Sequence, residues 1–370
     1  MNKIEKLSEK EIIKKLETII IELLESTRLF KAINRRFEDL YYGMDWYYEL
    51  MKPDLIIEVE TRDFLKYFLI FEVKSTGEPR YARMAISQLQ SYLKNKEKAY
   101  GIFCAPFISE ETKKLCFEAG IGCIDLAGNC FFKFDNVYIN VEGKPNLYPA
   151  TRSLKSILGL KSTRALRVLL CEPSRYWLVK DLAKAANISL GQTSNLKNRL
   201  LEYELIEEGE KQRKGKKFRL SNPEILLRKW SDNYSYLKNK IKNFYSFDEV
   251  LTVEKKLAEY CNVKEIQYAF TLTSGANWVA PMLRYKRVFA YVTQDRIDEV
   301  AKELAFKEVS SGPNVSLLEP CDEGVFYGIQ EIEGMKVVSD IQLYLDLQSY
   351  RERGEEAAEF LLEQRLKKLW

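Results

Sequence analysis

Histidine is absent from the 370 residues. Cys₂His₂ zinc sites, histidine-based nucleophile triads and histidine general bases are therefore excluded, and any catalysis falls to carboxylates, lysine and a metal ion. Cysteine is present but scattered. Cys104, Cys116, Cys123, Cys130, Cys171, Cys261 and Cys321 form no Cys-x-x-Cys pair, and an odd count of thiols suits a reducing cytoplasm. No apolar run reaches bilayer length, and the first residues are charged and helical in pattern. Neither a membrane span nor a signal peptide is expected. A strong charge bias is missing as well: 58 Lys and Arg stand against 54 Asp and Glu, a net +4. Global charge hints only weakly at nucleic acid, so local clustering has to carry that argument.

What is present is an apolar fraction of 46%, enough for real cores, in a chain long enough for two or three domains. Composition shifts near Gly143-Lys144-Pro145 and Pro149, and again near residue 240, divide it into 1–148, 151–238 and 240–370.

The first part holds two apolar runs of strand length, Asp54 to Val59 and Tyr67 to Lys74. Side chains alternate along a strand, so Glu72 and Lys74 share a face while Leu69, Phe71 and Val73 point into a core. If the two strands pair, Asp54 lies beside Glu72. Two carboxylates and an ammonium then crowd one sheet edge, a cost that a hard divalent cation relieves through oxygen ligands. Arg80 to Lys94 reads as a helix, with Gln88 and Tyr92 one turn apart on one face.

The order Pro53-Asp54, then Glu72-Val73-Lys74, then Gln88-x-x-x-Tyr92 resembles the PD-(D/E)XK nuclease superfamily and its RecB-like branch. The resemblance covers the first third of the chain. It implies a Mg²⁺- or Mn²⁺-dependent phosphodiesterase in which Asp54, Glu72 and the Val73 carbonyl bind metal. Lys74 would assist the attacking water, with Gln88 and Tyr92 completing the catalytic set. The superfamily often adds an acid from the first helix, for which Glu22, Glu25 and Glu38 are candidates. Residues 8–33 read as that helix, Ala99 to Cys104 as a strand, and Ser109 as the cap of a helix through Phe117. A strand and turn begin at Gly120. These alternating elements predict an α/β sandwich. Asp125, in that turn, is expected to have a structural role.

From Ser162 the character changes. Helices are expected over 165–170 and 178–186. Ser189-Leu190-Gly191-Gln192 then opens a third helix with a capping box, running through Glu202. Leu196 and Leu200 face inward; Gln192, Ser194, Asn195, Lys197 and Asn198 are expected to face outward. A strand from Leu205 returns through Lys211-Gln212-Arg213-Lys214-Gly215-Lys216-Lys217, in which five of seven residues are cationic. Residues 162–222 resemble a winged helix-turn-helix. The resemblance implies double-stranded DNA as partner, with the third helix in the major groove and the basic hairpin on phosphates.

Beyond residue 240 the reading is again α/β: helices at Phe247–Cys261 and Asp295–Leu304, strands at 287–292, 315–318 and 325–332, a strand start at Ser339-Asp340, and a last helix from Glu355 to Leu369. Leu272-Thr273-Ser274-Gly275-Ala276, Ala280-Pro281-Met282-Leu283-Arg284-Tyr285 and Val337-Val338-Ser339-Asp340-Ile341 resemble AbiEi-type regulators or antitoxins. That likeness implies nucleotidyltransferase-like ancestry for the last domain and a toxin or defence partner.

The fold class expected is thus α/β multidomain: a nuclease-like sandwich, a winged helix and a C-terminal α/β domain. The leading functional expectation is a Mg²⁺-dependent DNA endonuclease targeted by the winged helix, cytoplasmic and homodimeric, acting in phage defence or restriction. The alternative is a DNA-binding regulator or antitoxin whose nuclease-like domain is silent.

Overall fold

A computed structural model describes residues 8–36, 53–94, 96–148, 158–212, 215–282 and 285–370. The chain divides into two compact units, one of Met1–Ser153 with Glu202–Glu204 and one of Leu154–Leu201 with Leu205–Trp370. No helix among the described residues is long and apolar enough to cross a membrane.

The first unit opens with α1 (Glu9–Thr27). Its capping box joins Ser8 and Glu11, and Ile12, Leu16, Ile20 and Leu24 form its buried stripe. The helix is shorter than its apolar pattern predicts. Arg28 turns left-handed (φ 54°) and the chain enters β1 (Phe30–Arg36). There follow β2 (Leu55–Thr61), β3 (Lys66–Val73), α2 (Pro79–Leu93), β4 (Ala99–Ala105), α3 (Glu110–Glu118), β5 (Gly122–Asp125), β6 (Cys130–Phe134) and β7 (Val137–Val141). The seven strands lie in sequence order. β3, β4 and β5 are parallel neighbours; the pairs on either side of them are antiparallel. Leu69, Phe71 and Val73 meet the α1 stripe on one face, whereas Ile70 and Phe103 pack with Ala82, Leu89 and Cys116 of α2 and α3 on the other. Each such fully buried large apolar side chain contributes about 2 kcal/mol. The parallel arrangement brings the C-terminal ends of β3, β4 and β5 to one edge.

The second unit begins with α4 (Leu160–Cys171), α5 (Val179–Ala185) and α6 (Leu190–Glu202), then a hairpin of β8 (Ile206–Gln212) and β9 (Gly215–Leu220). A bridge from Trp177 to Phe218 ties the hairpin to the segment before α5. After α7 (Pro223–Ser231) come β10 (Lys240–Tyr245), α8 (Val250–Val263), β11 (Tyr268–Phe270), α9 (Leu272–Val279), β12 (Val288–Val292), α10 (Ile297–Glu303), β13 (Lys307–Glu308), β14 (Val315–Glu319), β15 (Gln330–Ile332), β16 (Met335–Val337), α11 (Asp340–Gln348) and α12 (Gly354–Leu361). The mixed sheet has the order β13-β10-β14-β12-β11-β16-β15.

Two expectations fail here. The run 325–332 is not one strand: a tight turn occupies Glu323–Phe326, Gly328 takes a positive φ of 71°, and only Gln330–Ile332 pairs. Ser339-Asp340 starts a helix, not a strand, with the Ser339 hydroxyl accepting from the Gln342 N–H at 3.3 Å.

A buried polar chain crosses the second unit. Asp346, fully inaccessible, accepts from Thr271 (2.5 Å), Tyr234 (2.6 Å), Tyr291 (3.1 Å) and the Gln342 amide (2.9 Å). The Gln342 carbonyl in turn accepts two bonds from Arg167 of α4, at 3.0 and 2.6 Å. Arg167 stacks over Trp230 of α7, with its guanidinium 5.0 Å from the ring. α4 is thus held to α11 by hydrogen bonds inside the core, and α7 packs its Trp230 ring against the same arginine. Outside it, Arg164 binds Asp322 and Arg228 binds Glu359 through both oxygens of each carboxylate.

Burial pushes the Asp346 carboxyl up from 3.8 to about 6, against the four donors that favour its anion. A raised folded-state pKa means the anion costs stability. The cost is absent below about pH 4, grows to about pH 6 and is constant above it, on the order of 3 kcal/mol. Urea unfolding followed by tryptophan fluorescence is therefore expected to show wild type losing about that much relative to Asp346→Asn between pH 4 and 7. A pH-independent difference would contradict this. Trp177, Trp230, Trp278 and Trp370 all report on this unit.

Candidate metal and nucleic-acid sites

β2 and β3 pair antiparallel with Leu55 opposite Phe71, which places Asp54 beyond the end of the register, next to Val73. Asp54 is fixed there from both sides. Its N–H donates to the Phe71 carbonyl (3.1 Å), and its carboxylate accepts from the Val73 N–H (2.7 Å). Glu72 points to the α2 side and is 3% exposed. Lys74, whose N–H is anchored on the Cys104 carbonyl, turns back and donates to Glu72 Oε1 at 2.6 Å. Tyr92 of α2 is buried and its hydroxyl favours the charged form of Glu72. Gln88 is half-buried one turn before it. Asp54, Glu72, Lys74 and Tyr92 therefore converge at the edge where the parallel strands end.

Burial pushes the Glu72 carboxyl up, and the Asp54 charge adds to this; Lys74 and Tyr92 oppose it. Asp54 is raised too, first by burial, with the Val73 N–H and Lys74 opposing. Glu72 Oε2 is buried and has no hydrogen-bond partner. An unanswered carboxylate oxygen beside a second carboxylate is a donor set that fits a small hard cation, which takes one or two carboxylates and keeps several waters. Among the described residues no cluster of three or more acidic, Cys or His side chains has metal-binding spacing, and those residues bring two carboxylates, Asp54 and Glu72, to this edge.

Of the first-helix acids, Glu38 lies outside the described residues, and Glu22 and Glu25 are exposed on the last turns of α1. Of the described α1 acids, exposed Glu9 in the first turn adds a charge that raises Asp54, the least of the causes acting on it. Sequence reasoning passed over it because it sits at the helix start, where acids are routinely read as favouring the helix dipole. Asp125 is the last residue of β5 and closes the turn that follows it. Its carboxylate accepts from the N–H groups of Ala127 and Asn129 and from the Asn129 amide, each at 2.9 Å.

In the second unit the α6 capping box forms as expected, with Ser189 N–H donating to Gln192 (3.3 Å) and Gln192 N–H to Ser189 (3.2 Å). Thr193, Leu196 and Leu200 are buried, and Gln192, Ser194, Asn195 and Asn198 are exposed on the opposite side. Lys197 departs from the outward reading. It donates to Glu208 of β8 at 2.6 Å and lies over the Phe218 ring, leaving its side chain 13% exposed. The long lysine stem is what lets it fold back over apolar surface. Lys216 approaches the same carboxylate at 3.4 Å and remains exposed, and Lys217 is half-buried. Together the two lysines hold the Glu208 carboxyl below its usual range. Arg213, Lys214 and the side chain of Lys211 lie outside the described residues.

Lys74→Met should expose how much the pairing at the first site matters. Leaving Glu72 without its ammonium is expected to cost about 3 kcal/mol of local stability, and Glu72→Gln with Lys74→Met should recover more than half of it. Hydrogen exchange of the β3 and β4 amides measures both; equal protection in all three proteins would contradict the pairing argument.

Residues 219–367 match a family model described as transcriptional regulator, AbiEi antitoxin, type IV TA system. No curated protein matches the chain. Among solved structures, a repair endonuclease from Pyrococcus abyssi is similar at 16% identity and a TM-score of 0.20, over 32% of this chain and 46% of that one. EndoMS in its apo form is similar at 20% identity and a TM-score of 0.18, over 32% and 45%. EndoMS in a complex named dsDNA2 gives 19% identity and a TM-score of 0.18, over 33% and 46%. The chain thus spans under half the length of each.

Proposed function

We propose that this protein is a DNA-binding regulator of the AbiEi antitoxin type, in which residues 162–222 act as a winged helix. One observation carries the reading. The exposed polar face of α6, with Gln192, Ser194, Asn195 and Asn198, stands on the same small module as the β8–β9 hairpin, and the sequence from Lys211 to Lys217 that joins those strands holds five cations. Amide and hydroxyl side chains on a helix suit base edges, and a cationic hairpin suits phosphate. The family match over 219–367 supports the regulator reading. A second copy of the chain and a toxin protein are the partners this reading implies.

The reading predicts duplex binding that weakens steeply with salt. Replacing Lys211, Arg213, Lys214, Lys216 and Lys217 with alanine should lower affinity at least about tenfold and reduce the log–log salt slope by about 2 or more. Glu208→Gln, which removes an anion between Lys197 and Lys216, should instead strengthen binding a few-fold. Fluorescence anisotropy of a labelled duplex across salt concentrations measures both effects. Wild-type affinity in the five-site variant at every salt concentration would overturn the reading.

The partnerless Glu72 Oε2 favours a second reading for the first unit: a Mg²⁺- or Mn²⁺-dependent nuclease of the PD-(D/E)XK type. Asp54 and Glu72 would hold the ion, with the Val73 carbonyl beside them. A metal bound there supplies charge neutralisation at phosphate and a water of lowered pKa. Lys74 would orient that water, and Tyr92 and Gln88 would keep Glu72 in place. Plasmid nicking that requires Mg²⁺ or Mn²⁺, stops in EDTA and is lost in Lys74→Ala is the expected outcome. No cleavage in either metal leaves the first unit silent and the regulator reading alone.

A further inference from the structure

Arginines of the second unit usually meet carboxylates: Arg164 with Asp322, Arg228 with Glu359, Arg353 with Glu356 and Arg365 with Asp340. Arg287, like the buried Arg167, departs from this, and unlike Arg167 it is partly exposed. Among the described residues it forms no ion pair. Its Nε donates to Ser316 Oγ at 2.8 Å, and Nη2 reaches the same hydroxyl (2.5 Å) and Asn243 Oδ1 (2.8 Å). Ser316 is itself buried and bonded to Asn243 at 2.9 Å, so the fork is held by neutral oxygens on the floor formed by β10 and β14. The guanidinium lies over the Phe289 ring, 4.9 Å from its centre. Phe289 packs edge-on against Tyr350 at 5.6 Å, and Tyr350 meets Tyr236 at 6.1 Å. Both tyrosines are half-buried, and the Arg287 charge acts on each.

The arrangement is a preorganised, half-buried cation with Nε and Nη2 committed to neutral partners, Nη1 carrying no hydrogen bond among the described residues, and two part-open phenol rings alongside. A guanidinium held this way keeps its charge available to an oxyanion. Aromatic rings next to a phosphate-binding cation are what a nucleobase stacks on. We propose that Arg287, with Tyr236 and Tyr350, binds the phosphate and base of a nucleotide unit. The site is separate from the α6 face and hairpin of the proposed DNA interface and does not depend on it. The same chemistry is presented by a free nucleotide and by a single strand.

The test is calorimetry on the full chain with thymidine 5′-monophosphate, inorganic phosphate and a short oligothymidylate. Expected is binding of the monophosphate or the oligothymidylate at least about tenfold tighter than that of phosphate. That preference should disappear in Tyr350→Leu, and Arg287→Gln should lose about tenfold or more in affinity for whichever binds. Binding of the oligothymidylate without the monophosphate assigns the source to a strand; both binding assigns it to the nucleotide itself. Arg287→Lys, which keeps the charge but not the fork, serves if Arg287→Gln does not fold, and should show a loss of similar size. The five-site hairpin variant should bind the nucleotide as wild type does, which separates this site from the duplex interface. Equal affinity for phosphate and monophosphate with no binding of the oligothymidylate, affinity unchanged in the Arg287 variants, or no binding of any probe overturns the proposal.

Discussion

A carboxylate taken out of water must be answered, and how each buried acid is answered sorts structure from chemistry in this chain. Asp125 is met by two N–H groups and an amide of its own turn. Asp346 is met by four donors from four elements. Both are closed networks, and closed networks specify a fold. Glu72 is answered by Lys74 on Oε1 and favoured by the Tyr92 hydroxyl, while Oε2 has no hydrogen-bond partner and the Asp54 charge stands nearby. An open carboxylate at the end of parallel strands is costly unless something arrives to complete it. Glu254, with one oxygen lacking a partner, differs in that no acid of the described residues is among the groups acting on it; its other oxygen takes bonds from Trp278 and Tyr285, and burial favours its neutral form.

In the second unit the same rule acts through a cation. Arg167 is 3% exposed and has no carboxylate bonded to it; Gln342 relays it to Asp346. The relay joins α4 of the three-helix part to α11 of the α/β part without a direct ion pair. Removing either end leaves a buried group unpaired, so both parts contribute to one polar network. That explains why a chain whose composition divides after residue 238 nonetheless continues as one compact body from 154 onward, apart from Glu202–Glu204.

Much of this was legible in the sequence where a local rule operates. The capping residues Ser109 and Ser189 mark their helices, Pro79 stands at the start of α2, and alternation in β3 separates Glu72 from Leu69, Phe71 and Val73. What stayed hidden depends on tertiary context. Leu29 and Phe30 continue the apolar pattern of α1, so the left-handed turn at Arg28 and strand β1 have no local signal. Residues 341–347 are buried on every side, and a helix without a polar face shows no 3.6-residue period. Lys197 looked like a groove-facing residue because spacing alone cannot see Glu208 across the hairpin. At the candidate site the sequence named the strand residues, while Glu9 emerged only once α1 was packed on the sheet.

The central claim is that the second unit reads duplex DNA through the exposed face of α6. Selection from a random duplex pool in EDTA, by full-length protein and by Asn195→Ala with Asn198→Ala, tests it most directly. The account predicts that wild type enriches a defined sequence and that the double variant still binds duplex but enriches nothing. No enrichment by wild type, or the same sequence recovered by both proteins, would contradict it.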